Sequence, residues 1–447
     1  MNDITAFFAF LKCCFGYKGD MSWVVAGMDW QELYSFASKQ ALLGLCFEGV
    51  ERLGKEYPEE LRLNPIGREL LMTWMGKAQQ IRRQNMKVNT VAGRLFSMLR
   101  EDGFRCCILK GQGNALMYPN PYSRTPGDID VWVNASRERI MEYAQKKFEL
   151  EDDIRLQHLE TSLDGVPVEL HFFPCSMNNP IYHARLQKWF RRNADLQCSH
   201  IVGLPDGAGD IAIPTTAFNV IYQLTHLYHH FFDEGIGMRQ IIDYFLVVND
   251  FSKNVFLNND LSNHPVNFSN HPVPLSKEGS TFSPSPSSSG SGDVTAPSRC
   301  SEPLRSKDGG PSKVSPDCAG WDRLGVNGDT TSTALVVVQR ELKHLGLWKF
   351  AGAVMYVLHE ALGLPEEKMI APMDEKRGKL LLAEILNGGN FGRHFTKYGH
   401  FTQQGMAKKY FLKIWRNMHF VRYFPAEALS EPIFRTWHFF WRLKHRR

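Results

Sequence analysis

The chain has 447 residues, 43% apolar and 12% aromatic, enough to bury a sizeable core in two or three domains. Its 52 basic and 47 acidic residues leave a formal charge of +5, too small an excess in a chain of this length to imply nucleic-acid binding by itself. Nine cysteines, an odd number without a Cys-x-x-Cys pair, argue against a disulfide framework and a structural zinc site, and fit reduced thiols.

The N-terminal run Ala6 to Leu11 is short, with no basic start or cleavage site, and the later run Phe350 to Leu364 is interrupted by His359 and Glu360. The chain therefore reads as cytoplasmic, with no membrane span. Residues 1–104 form an N-terminal helical region, because Trp30 to Leu53 and Glu69 to Arg100 repeat apolar residues every three or four positions. From Arg105 the period changes, and residues 105–212 read as a small α/β core. Cys106 to Leu109 is a short buried strand ending in a turn at Lys110-Gly111, with both cysteines in the core. Three prolines make 119–127 a loop, and Asp128 to Val133 alternates as a second strand. Ser136 caps a helix to about Lys147, and Gln157–Leu163 and Val166–Phe172 flank the hairpin signal Asp164-Gly165. The fold class is α+β, with a small mixed sheet.

Residues 213–250 and 331–447 read as one C-terminal helical domain, broken at Gly346, Gly388-Gly389 and near Pro425. Between them, 251–330 holds 16 Ser, 9 Pro and 8 Gly, too little apolar surface to offset the entropy of ordering, and is expected to be a disordered insert. It contains one short repeat, Asn263 to Val266 and Asn270 to Val273. The aromatic residues Phe434 to Trp441 are expected to pack as a buried helix face rather than stack bases. The basic cluster Lys408, Lys409, Lys413, Arg416 and Arg422, and the terminal Arg442, Lys444, His445, Arg446 and Arg447, are expected on solvated faces.

Asp128-Ile129-Asp130 puts two carboxylates on one face of a strand, where they repel unless a cation lies between them. Mg²⁺ is the usual answer, since it takes hard oxygen ligands and substrate phosphates together. Glu169, on the second strand of the hairpin, is the third acid of a two-metal cage. Lys110, Gly111, Gln112 and Gly113 make a glycine turn whose backbone can approach a phosphate, and Lys110 or Arg124 adds positive charge. On the following helical stretch His226, His229, His230 and Asp233 share one face. With His171 and Arg239 they are candidates to meet phosphates or an acceptor group; a shared transition metal and a merely polar helix face are the other readings of that cluster.

Leu109-Lys110-Gly111, Tyr118-Pro119, Arg124 and Gly127 to Asp130 resemble the bacterial nucleotidyltransferase family proteins, an uncharacterised group within the polymerase-beta-like superfamily. The resemblance continues through Glu169-Leu170-His171, Gly235 to Gln240 with Asp243-Tyr244, Gly388 to Gly392, and Trp437 to Trp441. It implies that Asp128, Asp130 and Glu169 hold two Mg²⁺ ions and that the turn at Gly111 binds a nucleoside triphosphate such as ATP. It further implies that an acceptor attacks the α-phosphate and displaces pyrophosphate. The acceptor is unidentified, and the basic clusters leave nucleic acid open without favouring it. Gln112 between the two glycines departs from the superfamily's usual small-residue pair. That departure motivates an alternative reading, a nucleotide-binding or regulatory module with the same fold and no turnover.

Overall fold

The computed structural model describes residues 4–150, 155–260, 330–394 and 406–445. Four strands, β1 (Cys106–Ile108), β2 (Ile129–Val133), β3 (His158–Leu163) and β4 (Val166–His171), pair in the order β1-β2-β4-β3. The central pair β2 and β4 is parallel and the two outer pairs are antiparallel, so the sheet is mixed, as the pattern of strands and helices predicts. Asp164 and Gly165 both have positive φ, 52° and 71°, which matches a two-residue turn to the twist of the strands and fixes the β3–β4 register.

The two faces of the sheet differ because side chains alternate along each strand. Cys106, Ile108, Ile129, Val131, Val133, Val168 and Leu170 are buried against Val91, Leu95, Phe96 and Leu99 of the long helix Arg68–Glu101, and against Ile140 and Ala144 of the helix Arg137–Lys147. Each such side chain contributes about 1.5–3 kcal/mol by leaving water. The other face turns Trp132 into a second core, where its ring stacks on Phe218 of the helix Thr216–Asp233. Asp130, Glu169 and His171 share that face.

Several boundaries differ from the sequence pattern. The stretch Trp30 to Leu53 is two helices, Trp30–Lys39 and Leu43–Glu56, interrupted at Ala41 with φ 58°. Thr125 Oγ1 donates to the Ala41 carbonyl at 2.7 Å, so the break serves the loop beneath it. The helix Met238–Asp260 runs ten residues into the segment expected to be insert. Phe251 and Ser252 are buried there, and Ser252 Oγ donates to the carbonyls of Val248 and Lys368. The remainder of that segment, 261–329, lies outside the described residues. A two-stranded ribbon, β5 (Ile201–Gly203) and β6 (Asp210–Ala212), is an addition that no sequence signal suggested.

The C-terminal helices correct two expectations. On the helix Pro425–His445 the inward stripe is Glu431, Phe434, Arg435 and His438, while Trp437, Phe439 and Phe440 are half-exposed or more. The aromatic run is therefore not a buried face: Arg435, paired with Asp233 of the helix Thr216–Asp233, takes an inward position. In the helix Met406–Met418, Lys413 is bonded to Asp233, and Arg416 is buried beside Glu384 and the rings of Phe231 and Phe420. Neither lies on a solvated face; Arg422 does. The side chains of Lys408, Lys409, Arg442, Lys444 and His445, and all of Arg446 and Arg447, lie outside the described residues. Seven cysteines, Cys106 and Cys107 included, are buried free thiols; Cys300 and Cys318 are not described. Among the described residues no helix is long and apolar enough to cross a membrane.

Candidate functional site

The register of the sheet assembles the acidic cluster. Parallel pairing of β2 with β4 sets Asp130 beside Glu169, and the hairpin sets His158 beside His171 and Glu160 beside Glu169. One oxygen from each of Asp128, Asp130 and Glu169 lies within 4.8 Å of the others. His171 Nε2 bridges two of these acids, 3.0 Å from Asp130 Oδ1 and 3.0 Å from Glu169 Oε2. From the turn after β1, Lys110 Nζ reaches Asp130 Oδ1 at 3.0 Å and His226 Nε2 at 2.8 Å. Gly111, with φ 54°, makes that turn, where a side chain would be strained.

The charges set one another's protonation. The charge of Asp130, and after it the loss of water, raises Asp128 to about 6. Burial also works against ionised Asp130, but Lys110 and the hydrogen bond from His171 outweigh it and hold this acid well below the usual carboxylate range. His171 is the counterpart: burial disfavours its cation, yet hydrogen bonds to Asp130 and Glu169 push it up to about 9. Burial lowers His158 to about 3, and His171 adds to the effect. On the facing helix, burial and the nearby Lys110 keep His226 neutral, and burial with His229 and Lys110 brings His230 down to about 3.

Two arginines complete the cavity. Arg124 donates from Nε and Nη2 to the two oxygens of Asp243, at 2.9 and 2.8 Å, and Tyr118 donates to the same carboxylate at 2.7 Å. Its remaining Nη1 is buried without a hydrogen-bond partner. Asn85 of the long helix holds the loop by donating to the carbonyls of Tyr122 and Arg124. Arg239 donates to the Thr125 carbonyl at 3.0 Å and lies over the Phe391 ring. At the far end of the helix Thr216–Asp233, Asp233 Oδ1 accepts from Lys413 and Arg435, each at 2.9 Å.

One cavity is lined by Lys110, Gly111, Arg124, Asp128, Asp130, Glu169, His171, His226, His229, His230 and Arg239, so it gathers these sequence candidates together. Gln112 and Gly113 are not in its wall. Gln112 is buried and hydrogen-bonds Asn89 of the long helix, while a Cβ on Gly113 would come within 2.9 Å of Ile213. Both residues serve packing behind the turn. Arg155, Gln157, His158 and Gln223, which no sequence motif marks, also line the cavity, with Phe391 and Arg393 from beyond residue 330. For His158 a signal existed, since the two-residue turn at Asp164-Gly165 already pairs it with His171.

Carboxylates clustered this closely, with one of them driven toward protonation by its neighbour, have the donor set of a hard divalent cation. A lysine and two buried arginines in the same wall suit a ligand bearing several phosphates. The chain belongs to the family described as uncharacterised nucleotidyltransferase, which matches residues 26–262. No curated protein and no solved structure matches it.

Proposed function

We propose that the protein transfers a nucleoside monophosphate from a nucleoside triphosphate to an acceptor. The acceptor oxygen forms a bond to the α-phosphorus, the bond from that phosphorus to the β-phosphate oxygen breaks, and pyrophosphate leaves. The observation that carries this reading is the juxtaposition of Asp128, Asp130 and Glu169, within 4.8 Å of one another, in a cavity walled by Lys110, Arg124 and Arg239. Asp128, Asp130 and Glu169 would hold Mg²⁺, and the crowding of their charges supports that fit. When bound, Mg²⁺ supplies charge neutralisation and Lewis acidity at the phosphates. Lys110, Arg124 and Arg239 orient the triphosphate by charge-assisted hydrogen bonds, and Gly111 lets the chain approach it closely. His226 and His230, held neutral by burial and Lys110, would meet the acceptor as uncharged hydrogen-bonding groups; His171 already holds a proton between two carboxylates.

The test is release of pyrophosphate from labelled nucleoside triphosphates with Mg²⁺ across sugar phosphates, alcohols, protein hydroxyls and tRNA. Asp128→Ala with Asp130→Ala is expected to lower turnover by about a thousandfold or more, on the order of 4 kcal/mol in the barrier. Full activity in that double variant would refute the proposal. Binding of nucleotide and Mg²⁺ with no turnover on any acceptor would instead make the chain a binding or regulatory module on the same fold.

A further inference from the structure

A second donor set lies on the same sheet, one strand further out. His158 of β3 is buried, with 9% of its surface exposed, and neither ring nitrogen has a hydrogen-bond partner. An unpartnered buried imidazole is costly unless something else occupies its lone pair. Its Nδ1 lies 3.4 Å from Glu169 Oε2, and His171 Nε2 lies 3.0 Å from the same oxygen. An ion held at about 2.0–2.1 Å by nitrogen and oxygen ligands sets neighbouring ligands roughly 2.9–3.4 Å apart. One ligand atom from each of His158, Glu169 and His171 falls within 4.8 Å of the others.

A carboxylate stands behind His158, and an amide packs behind His171. His158 Nε2, the nitrogen away from Glu169, faces Glu160 Oε1 at 3.5 Å, and Arg155 fixes Glu160 at 2.7 Å. His171 Nδ1 is 3.3 Å from the side-chain nitrogen of Gln157, whose other contacts are the Pro174 carbonyl and Ser176. Metal-binding histidines characteristically donate their second ring N–H to an acceptor such as a carboxylate, the role that Glu160 can take for His158. The histidines of the helix Thr216–Asp233 offer a contrast. His226 and His230 bring their Nε2 atoms to 3.0 Å, but the Lys110 ammonium stands 2.8 Å from His226 Nε2, where a cation would be repelled.

We propose that His158, Glu169 and His171 bind a first-row transition-metal dication, with Zn²⁺ as the reference ion, in a site separate from the all-oxygen set and sharing Glu169 with it. Imidazole nitrogens favour such ions over Mg²⁺. On binding, His171 Nε2 exchanges the proton it shares with Asp130 and Glu169 for the metal, and that proton is released to solvent. The inference meets the proposed nucleotidyl transfer at Glu169 and at the contact of His171 with Asp130, and its test uses no nucleotide, so either can fail alone.

The experiment titrates the full chain with Zn²⁺ by calorimetry in saturating Mg²⁺, and separately with Co²⁺ by visible absorption. One ion per chain is expected. Binding should weaken by about tenfold or more in His158→Gln, with loss of the Co²⁺ bands, and stay within about threefold in Asp128→Asn. The buried thiols are common to every variant, so the difference isolates the imidazole. No binding, equal affinity in wild type and His158→Gln, or an equal loss in Asp128→Asn overturns the proposal. Circular dichroism checks folding. Should His158→Gln not fold, Glu160→Gln, which keeps all three ligands, decides: about tenfold weaker binding supports the site, and unchanged binding refutes it.

Discussion

The cavity has a sheet-borne wall and a helix-borne wall, and both carry histidine in opposite states. On the sheet, His171 sits between Asp130 and Glu169 and is pushed up to about 9. On the helix, His230 has other imidazoles and Lys110 for neighbours, and burial brings it down to about 3. Burial opposes the cation in both cases, so it does not explain the difference. The hydrogen bonds that His171 makes to two carboxylates do. The sheet collects negative charge because three acid-bearing positions are cross-strand neighbours, whereas the helix face meets a lysine. One residue type thus serves as a cation at His171 and as a neutral group at His230, and at His158 on the sheet, which makes no hydrogen bond.

The largest way to disturb this contrast is to cut the tie between the walls. Arg124, in the loop before β2, is buried and bidentate to Asp243 of the helix Met238–Asp260. Arg124→Met leaves Asp243 as a buried, uncompensated acid, and a loss of about 3–5 kcal/mol is expected in denaturant unfolding. A cost below about 1 kcal/mol would mean that the pair is not what joins the walls. Arg124→Met with Asp243→Leu should recover much of that loss.

The pH dependence of stability sharpens the contrast itself. His171 has a raised folded-state pKa, so its contribution is fully present below about 6.5 and is lost as pH rises toward about 9. His171→Gln should therefore be most destabilised relative to wild type near pH 6 and close the gap by pH 9. His230 is the reverse. Its lowered pKa means that the unfolded chain takes up a proton first, so wild type loses stability as pH falls from about 6.5 toward 3. His230→Gln should gain on wild type over that lower window. Melting temperatures across both ranges decide the matter; parallel profiles for the two variants would erase the distinction. The smallest effect belongs to the turn. Gln112→Ala removes the hydrogen bond to Asn89 and should cost about 1 kcal/mol in stability, with KM for the triphosphate unchanged. A large rise in KM would return Gln112 to the phosphate site.

The acidic centre was legible in the sequence because strand geometry is local. Alternation places Asp128 and Asp130 on one face, and the Asp164-Gly165 turn fixes which residues of β3 and β4 oppose each other. Only the β2–β4 pairing, a contact between distant segments, remained to be supplied by the fold. His158 is readable from the same turn, which sets it opposite His171. Other features had no local signal. The direction of Gln112 depends on Asn89 of a distant helix, and the break at Ala41 answers to Thr125. The C-terminal aromatic run misled because its apolar residues outnumber the inward-facing stripe, whose membership is set by Asp233 on another helix.

Asp233 also bears on how the chain can be divided. The family match ends at residue 262, yet the two cations that compensate this carboxylate, Lys413 and Arg435, lie far beyond it, as do Phe391 and Arg393 of the cavity wall. A fragment cut at the family boundary would keep the three acids and lose the partners of Asp233. An expression clone trimmed in that way would be a poor surrogate for the protein, and the residues after 330 belong in any minimal version of it.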